Sequence, residues 1–354
     1  MKTIDVKKIV CPHILKMKAY SSARLEYEGK EGAFLDANEN SLGSVTDTLH
    51  NRYPDPLQTE LKIGIAKTES LRPTQLFLGN GSDECIGVLV QSYCIPAQDK
   101  IMVLPPSFAM YEHAAHVMNI GIIEVLLKEE NFQMNVEDML KIIQQEEHLK
   151  IIFICSPNNP TANLINENDI ETILNNFNGL VVIDEAYHDF SGSKSWTQRL
   201  DEFQNLVVIN TFSKSWGMAN ARLGTLYANE EIIQYMNVIK MPYNVNQHTI
   251  NLALQALNKI DKKNQFVKEL VEGRKWLETE MQQIPLIQQI YSSDTNFILF
   301  KVDDANALYQ FLLSQKVIIR NRDKTPLLKG CLRVSVGTKE ENQKFINALK
   351  NYPS

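Results

Sequence analysis

Three apolar runs, each breaking off onto polar residues, decide how this chain reads: IIFIC (151–155) runs into SPNNPT, LVVID (180–184) into EAYHDF, and LVVIN (206–210) into TFSKSWG. Each is apolar at four consecutive positions and rich in β-branched side chains, as expected of a strand buried on both faces. Working outward, LFL (76–78), IMVL (101–104) and IIEVL (122–126) repeat the pattern, separated by stretches of helical period. The alternation predicts an α/β domain whose largely parallel sheet is covered by helices. Ligands of such sheets gather beyond the carboxyl ends of the strands, so the three polar turns are where a site is expected.

The chain has 354 residues, 44% hydrophobic and 22% charged, which allows one large core or two and excludes a disordered tail or a small stapled scaffold. Lys and Arg number 36 against 42 Asp and Glu, a net charge of -6. No basic block could neutralise several phosphates in a row, which argues against nucleic acid as a partner. Cys11, Cys85, Cys94, Cys155 and Cys331 are odd in number, scattered and never spaced C-x-x-C, pointing away from a disulfide framework or zinc ribbon and toward a reducing cytoplasm. The opening MKTIDVKKIVCPHILKMKAY is broken by charges every few residues, and no long apolar run follows anywhere. Neither export nor a membrane span is expected.

Past residue 243 the texture changes: a long charged segment at about 251–283 has apolar residues at helical spacing, then come NFILFK, a helix-like 305–315, VIIR, CLRVSV and a helix-like tail. The expected organisation is an N-terminal arm (1–30), a large α/β domain (31–245) and a smaller α+β domain (246–354) that packs with the arm. Such an arm needs something to tie it down, and a dimer partner could do so.

Two constellations suggest chemistry. Gly79-Asn80-Gly81-Ser82-Asp83-Glu84 leaves a strand and opens a helical segment, the arrangement that points backbone N–H groups and the positive helix end at a phosphate. Alone it is weak, because glycine turns cap many helices, and neither GK[ST] nor G-x-G-x-x-G is present. The second is TFSKSWGMANARLG (211–224), in which Thr211, Ser213, Lys214 and Arg222 sit just beyond a strand. A lysine between hydroxyls, with an arginine eight positions on, reads as an amine held beside a bound phosphate and able to form a Schiff base. Were that ligand pyridoxal phosphate, it would need a carboxylate on its ring nitrogen, a donor to its phenolate oxygen and an aromatic face. Asp184, Tyr187, Asn159 and Phe108 offer them. Glu112, His113 and His116 lack a third-ligand pattern, and no metal is expected.

The motifs RYPDP, GNGSDE, PPSFAMY, CSPNNPT, VVIDEAY, TFSKSWG, ARLG and CLRVSVGT, in this order, resemble the fold-type-I pyridoxal-phosphate aminotransferases, and among them the histidinol-phosphate aminotransferases, over nearly the whole chain. The resemblance implies a pyridoxal 5'-phosphate enzyme moving an amino group between L-histidinol phosphate and 2-oxoglutarate, giving imidazole acetol phosphate and L-glutamate. It makes Lys214 the Schiff-base lysine, Asp184 the pyridinium partner, Tyr187 and Asn159 donors to the phenolate oxygen, and Phe108 the stacking ring. Gly81, Ser82, Thr211, Ser213 and Arg222 would hold the phosphate, with Tyr53 reaching over from the other subunit of a homodimer. Arg333 matches the arginine for an amino-acid carboxylate, and Arg320 the one for the substrate phosphate, helped by Tyr20 and Asn246. The same scaffold also hosts aromatic aminotransferases and phosphothreonine-type decarboxylases; a catalytically silent regulatory module is disfavoured by the complete residue set and the absence of a basic face. Three departures bear on loop geometry: Ala162 where glycine is usual, Ser41 where proline is usual, and Met218-Ala219-Asn220-Ala221 after the lysine. Ala162 would be strained if its turn requires a positive φ.

Overall fold

The computed structural model describes residues 3–19 and 31–353. Seven strands form the larger sheet: β1 (Leu76–Asn80), β2 (Lys100–Val103), β3 (Gly121–Glu124), β4 (Leu149–Cys155), β5 (Leu180–Asp184), β6 (Leu206–Thr211) and β7 (Leu223–Ala228). Their order is β1-β7-β6-β5-β4-β2-β3. All neighbours are parallel except at β7, which runs antiparallel to both β1 and β6. The helices around it are α1 (Val6–Ile9), α2 (Thr59–Glu69), α3 (Ser82–Tyr93), α4 (Met110–Val117), α5 (Val136–Gln145), α6 (Glu167–Asn176), α7 (Glu230–Ile239) and α8 (Gln247–Leu257).

The continuous apolar runs are explained by what they touch. Ile152 and Ile154 of β4, Val181 and Ile183 of β5, and Leu206 and Val208 of β6 join a core with α2, α5, α6 and α8. The residues between them, Ile151, Phe153, Leu180, Val182, Val207 and Ile209, join a second core with α1, α3, α4 and α7. Because side chains alternate along a strand, a sheet covered on both faces needs apolar residues at every position.

The smaller sheet is antiparallel, β8 (Ile287–Ile290), β9 (Phe297–Val302), β10 (Arg320–Asn321) and β11 (Cys331–Ser335), in the order β10-β11-β9-β8. Ile298, Phe300, Leu332 and Val334 on one face pack with α9 (Ile260–Met281), α10 (Ala305–Ser314) and α11 (Lys339–Lys350). The opposite face carries Phe297, Leu299, Cys331 and Arg333. Leu299 and Cys331 belong to the large-domain core, and Phe297 packs with Ala162 and Tyr187. That second face meets the larger unit, as does α9, whose Val267 and Val271 pack with Tyr187 and Phe190 and whose Lys263 pairs with Asp189 at 2.6 Å.

Several elements depart from the sequence reading. The segment at 251–283 breaks into α8 and α9. Ile250 and Ala253 of α8 lie in the large-domain core, so this helix packs with the larger unit although it follows residue 245. Val6, Val10, Cys11 and Ile14 of the arm are buried against α3 and α7, placing the described part of the arm on the large domain rather than on the small one. Strands β7 and β8 lacked a distinct apolar run and were not anticipated.

Candidate active site

Asp184 ends β5 and is 2% exposed. The Tyr111 hydroxyl donates to it at 2.7 Å and the Ala186 amide at 3.0 Å. Burial pushes its pKa up, while Tyr111, the Ala186 amide and Lys214 act against that. A buried carboxylate costs several kcal/mol unless compensated, and two donors with one nearby ammonium leave room for a further cation.

Lys214 follows β6 in a turn closed by the Gly217 amide donating to the Lys214 carbonyl at 3.0 Å. Its Nζ lies 5.5 Å from the centroid of the Tyr187 ring. Burial lowers its pKa, Arg333 adds repulsion, and Asp184 opposes both. A lysine so placed keeps more of its amine neutral than an exposed one does, which suits a nucleophile or base.

The anion end is assembled from two crossings. Strand β1 exits through Gly81, which has φ 77° and forms the cap of α3 with no side-chain cap. Its amide donates to the Arg222 carbonyl at 2.8 Å. A Cβ on Gly81 would collide with the Arg222 guanidinium, and one on Gly224 with the backbone of Gly81 and Ser82. Glycine is favoured at 81 by its positive φ and required at 224 because β7 starts directly against the backbone of the helix N-terminus. Thr211 and Ser213 are joined by a hydroxyl hydrogen bond of 3.0 Å, and Arg222 pairs with Asp83 at 3.5 Å. Open helix N–H groups, two hydroxyls and an arginine are groups that could cradle a phosphate.

Ser82, Phe108, Asn159, Asp184, Tyr187, Thr211, Ser213, Lys214 and Arg222 all line one cavity of about 160 Å³, with Cys155 and Ala219 among its other walls. Asn159 donates to the Tyr187 hydroxyl at 3.4 Å and accepts from Arg333. The Arg333 guanidinium lies 4.8 Å over the Phe297 ring, and its Nε is buried with no partner. An anion-binding group of residues, a buried carboxylate and an amine lining one cavity fit pyridoxal phosphate in charge.

Other expected residues stand apart from this cavity. Tyr53 is 52% exposed and stacks on Tyr243. It lines a separate cavity with Asn246, whose side chain caps α8 by accepting from the Thr249 amide. Arg320 is exposed on β10, directly across from Arg333. Tyr20 lies outside the described residues. Tyr111 was missed. Its one advance signal is that it follows Phe108 by three positions, one helical turn, whereas its acceptor is 73 residues away.

Residues 35–349 match the family model for aminotransferases of class I and II. The chain belongs to that family. A histidinol-phosphate aminotransferase from Cytophaga hutchinsonii is 45% identical to this aminotransferase over 344 residues, 97% of this chain and 98% of the relative. The crystal structure of the histidinol-phosphate aminotransferase from Clostridium acetobutylicum superposes with a TM-score of 0.78 at 26% identity, over 84% of this chain and 90% of that one. The Sinorhizobium meliloti histidinol-phosphate aminotransferase, in complex with pyridoxal-5'-phosphate, superposes with a TM-score of 0.77 over 88% of each chain. At 20% identity it speaks for the fold alone. The two-sheet architecture is therefore that of a fold-type-I aminotransferase, as the motif order implied. No helix among the described residues is long and apolar enough to cross a membrane.

Proposed function

We propose that this aminotransferase exchanges an amino group between L-histidinol phosphate and 2-oxoglutarate in histidine biosynthesis, with pyridoxal phosphate as cofactor. The observation that carries the reading is the joining of two sites by one hydrogen bond. Asn159, on the wall of the Lys214–Asp184 cavity, accepts from Arg333, whose buried Nε still lacks an acceptor. An anionic substrate group beside the cavity would meet that need. The near full-length likeness to proteins named for this activity supports the same conclusion.

When bound, pyridoxal phosphate would supply a carbonyl carbon for the substrate amine and a conjugated ring that takes up the electron pair released at Cα. Gly81, Ser82, Thr211, Ser213 and Arg222 would hold its phosphate. Asp184, fixed by Tyr111, would keep the ring nitrogen protonated, and Tyr187 and Asn159 would face the phenolate oxygen. Phe108 would cover the ring. Lys214, its pKa lowered by burial, would serve as the base that holds and moves the proton of the substrate Cα. Arg333 would bind the α-carboxylate of glutamate and Arg320 the phosphate of histidinol phosphate, with Tyr20 and Asn246 assisting. Tyr53, exposed and away from the cavity, would serve the site of a second copy in a homodimer. The five cysteines are free and buried, which suits work in the cytoplasm.

The test is a half-reaction on the purified holoenzyme with histidinol phosphate, phosphothreonine and phenylalanine in turn. Loss of the cofactor's visible band with histidinol phosphate alone is the expected result. Comparable conversion of phenylalanine would overturn the assignment in favour of an aromatic aminotransferase.

A further inference from the structure

The edge of the smaller sheet gathers three arginines that have no carboxylate partner among the described residues. Arg320 on β10 lies directly opposite Arg333 on β11, and like charges facing each other across a strand pair are destabilising. Two residues after Arg320, the Arg322 amide donates to the Cys331 carbonyl at 3.0 Å. Side chains alternate along a strand, so Arg320 and Arg322 share a face with Cys331 and Arg333. This is the face that meets the large domain, where Arg333 reaches Asn159 and Cys331 joins the core. Among the described residues no carboxylate pairs with any of these three arginines. The Nε atoms of both Arg322 and Arg333 are buried without a hydrogen-bond acceptor.

We infer that Arg322 is a substrate-binding residue that determines specificity, completing with Arg320 and Arg333 a three-guanidinium site for the phosphate dianion of the substrate. The inference rests on the proposed function for the identity of the phosphorylated substrate, and on the register and the orphaned Nε atoms for the site. A carboxylate is filled by one bidentate arginine. A phosphate offers three terminal oxygens and about two negative charges, which a cluster of forks matches better. Burial, followed by repulsion from Arg333 and Arg320, pushes the Arg322 pKa down to about 10, with Tyr187 opposing. The side chain therefore stays charged at neutral pH while its environment favours acquiring an anion. Tyr187, which lines the cofactor cavity, opposes the lowering of both the Arg322 and the Arg333 pKa.

The experiment compares wild-type holoenzyme with Arg322→Gln and Arg322→Lys, the cofactor already filling its own phosphate cradle. Two readouts are taken: single-turnover half-reactions with histidinol phosphate and with glutamate, and inhibition of the glutamate half-reaction by inorganic phosphate. Arg322→Gln is expected to weaken phosphate inhibition and histidinol phosphate conversion by about tenfold or more, the value of a hydrogen bond to a charged group, and to leave glutamate within about threefold. Arg322→Lys, which keeps the charge but not the fork, should lose about threefold, and it carries the test should the glutamine variant fail to fold. Unchanged phosphate inhibition in the variants, or equal losses with glutamate and histidinol phosphate, would overturn the inference. If the wild type converts no histidinol phosphate but is inhibited by phosphate through Arg322, the proposed substrate is wrong and the anion site stands. If the wild type responds to neither, both are wrong.

Discussion

Replacing Asp184 by asparagine separates folding from chemistry. The side chain is isosteric and buried at the end of β5, receiving hydrogen bonds from Tyr111 at 2.7 Å and from the Ala186 amide at 3.0 Å on different oxygens. An amide can accept only one of these on its oxygen, so one donor loses its partner at about 1–3 kcal/mol. Against this, a charge whose burial costs several kcal/mol disappears. The apoenzyme should therefore melt within a few degrees of wild type. The rate behaves differently, because an amide cannot hold a proton on a ring nitrogen. An opposite charge within a few ångströms shifts a pKa by about 1–3 units, each worth about 1.4 kcal/mol or tenfold. The glutamate half-reaction, followed by stopped-flow absorbance under single turnover, should slow by about ten- to a thousandfold. A rate within about threefold of wild type, or a rate loss matched by a comparable fall in stability, would refute the role given to Asp184.

Lys214→Ala should abolish transamination while the cradle around Gly81 and Arg222 still retains cofactor; borohydride reduction of the wild type should fix the cofactor on Lys214, and a label on any other lysine would show the wrong residue was chosen. Glu185 is buried, accepts from Ser195 at 2.5 Å and from the Trp196 amide at 2.8 Å, and has its pKa raised from 4.5 to about 8 by burial. The folded state thus binds this proton more tightly than the unfolded one, so stability is lost as pH rises from about 4.5 through about 8. Glu185→Gln should flatten that decline in melts at pH 5, 6.5 and 8, although the lowered pKa of His188 contributes a loss at the acid end of the same range in both proteins. Ala162 has φ 73° and is fully buried. Ala162→Gly relieves about 1–2 kcal/mol of left-handed strain but forfeits about 0.8 kcal/mol of methyl burial and about 0.5–1 kcal/mol of chain entropy, so urea unfolding should move by less than about 1 kcal/mol; a gain clearly above about 1 kcal/mol would mean the methyl contributes nothing to packing.

What the sequence disclosed follows the range of the forces involved. Strands β1, β2, β4, β5 and β6 of the large sheet were legible because burial on both faces demands apolar residues at each step, edge strand β3 only by its two isoleucines, and Lys214 and Asp184 because each stands where a buried strand ends. Ala162 was legible in a finer sense: a residue lacking glycine's freedom was expected to be strained, and its backbone is left-handed. Strand β7 was not, since LGTLYA mixes small and polar residues to let Gly224 pass under Gly81. Helix α8 follows the residue at which the composition changes, yet Ile250 and Ala253 pack back onto the large domain, a choice made by tertiary contact. Tyr111 and Arg322 act through partners fixed only by the folded register, so neither announced itself.

The antiparallel insertion of β7 also dictates when the proposed phosphate cradle can first form. Strand β1 sits at the sheet edge with β7 as its one neighbour, so the early-synthesised GNGSDE turn waits, half-built, while the chain makes every parallel strand that follows. The proposed cradle is complete only when Leu223–Ala228 lies between β1 and β6 with Arg222 against Gly81. Nascent chains halted before Ala228 should have Lys214 already made, yet no place for the cofactor's phosphate to dock.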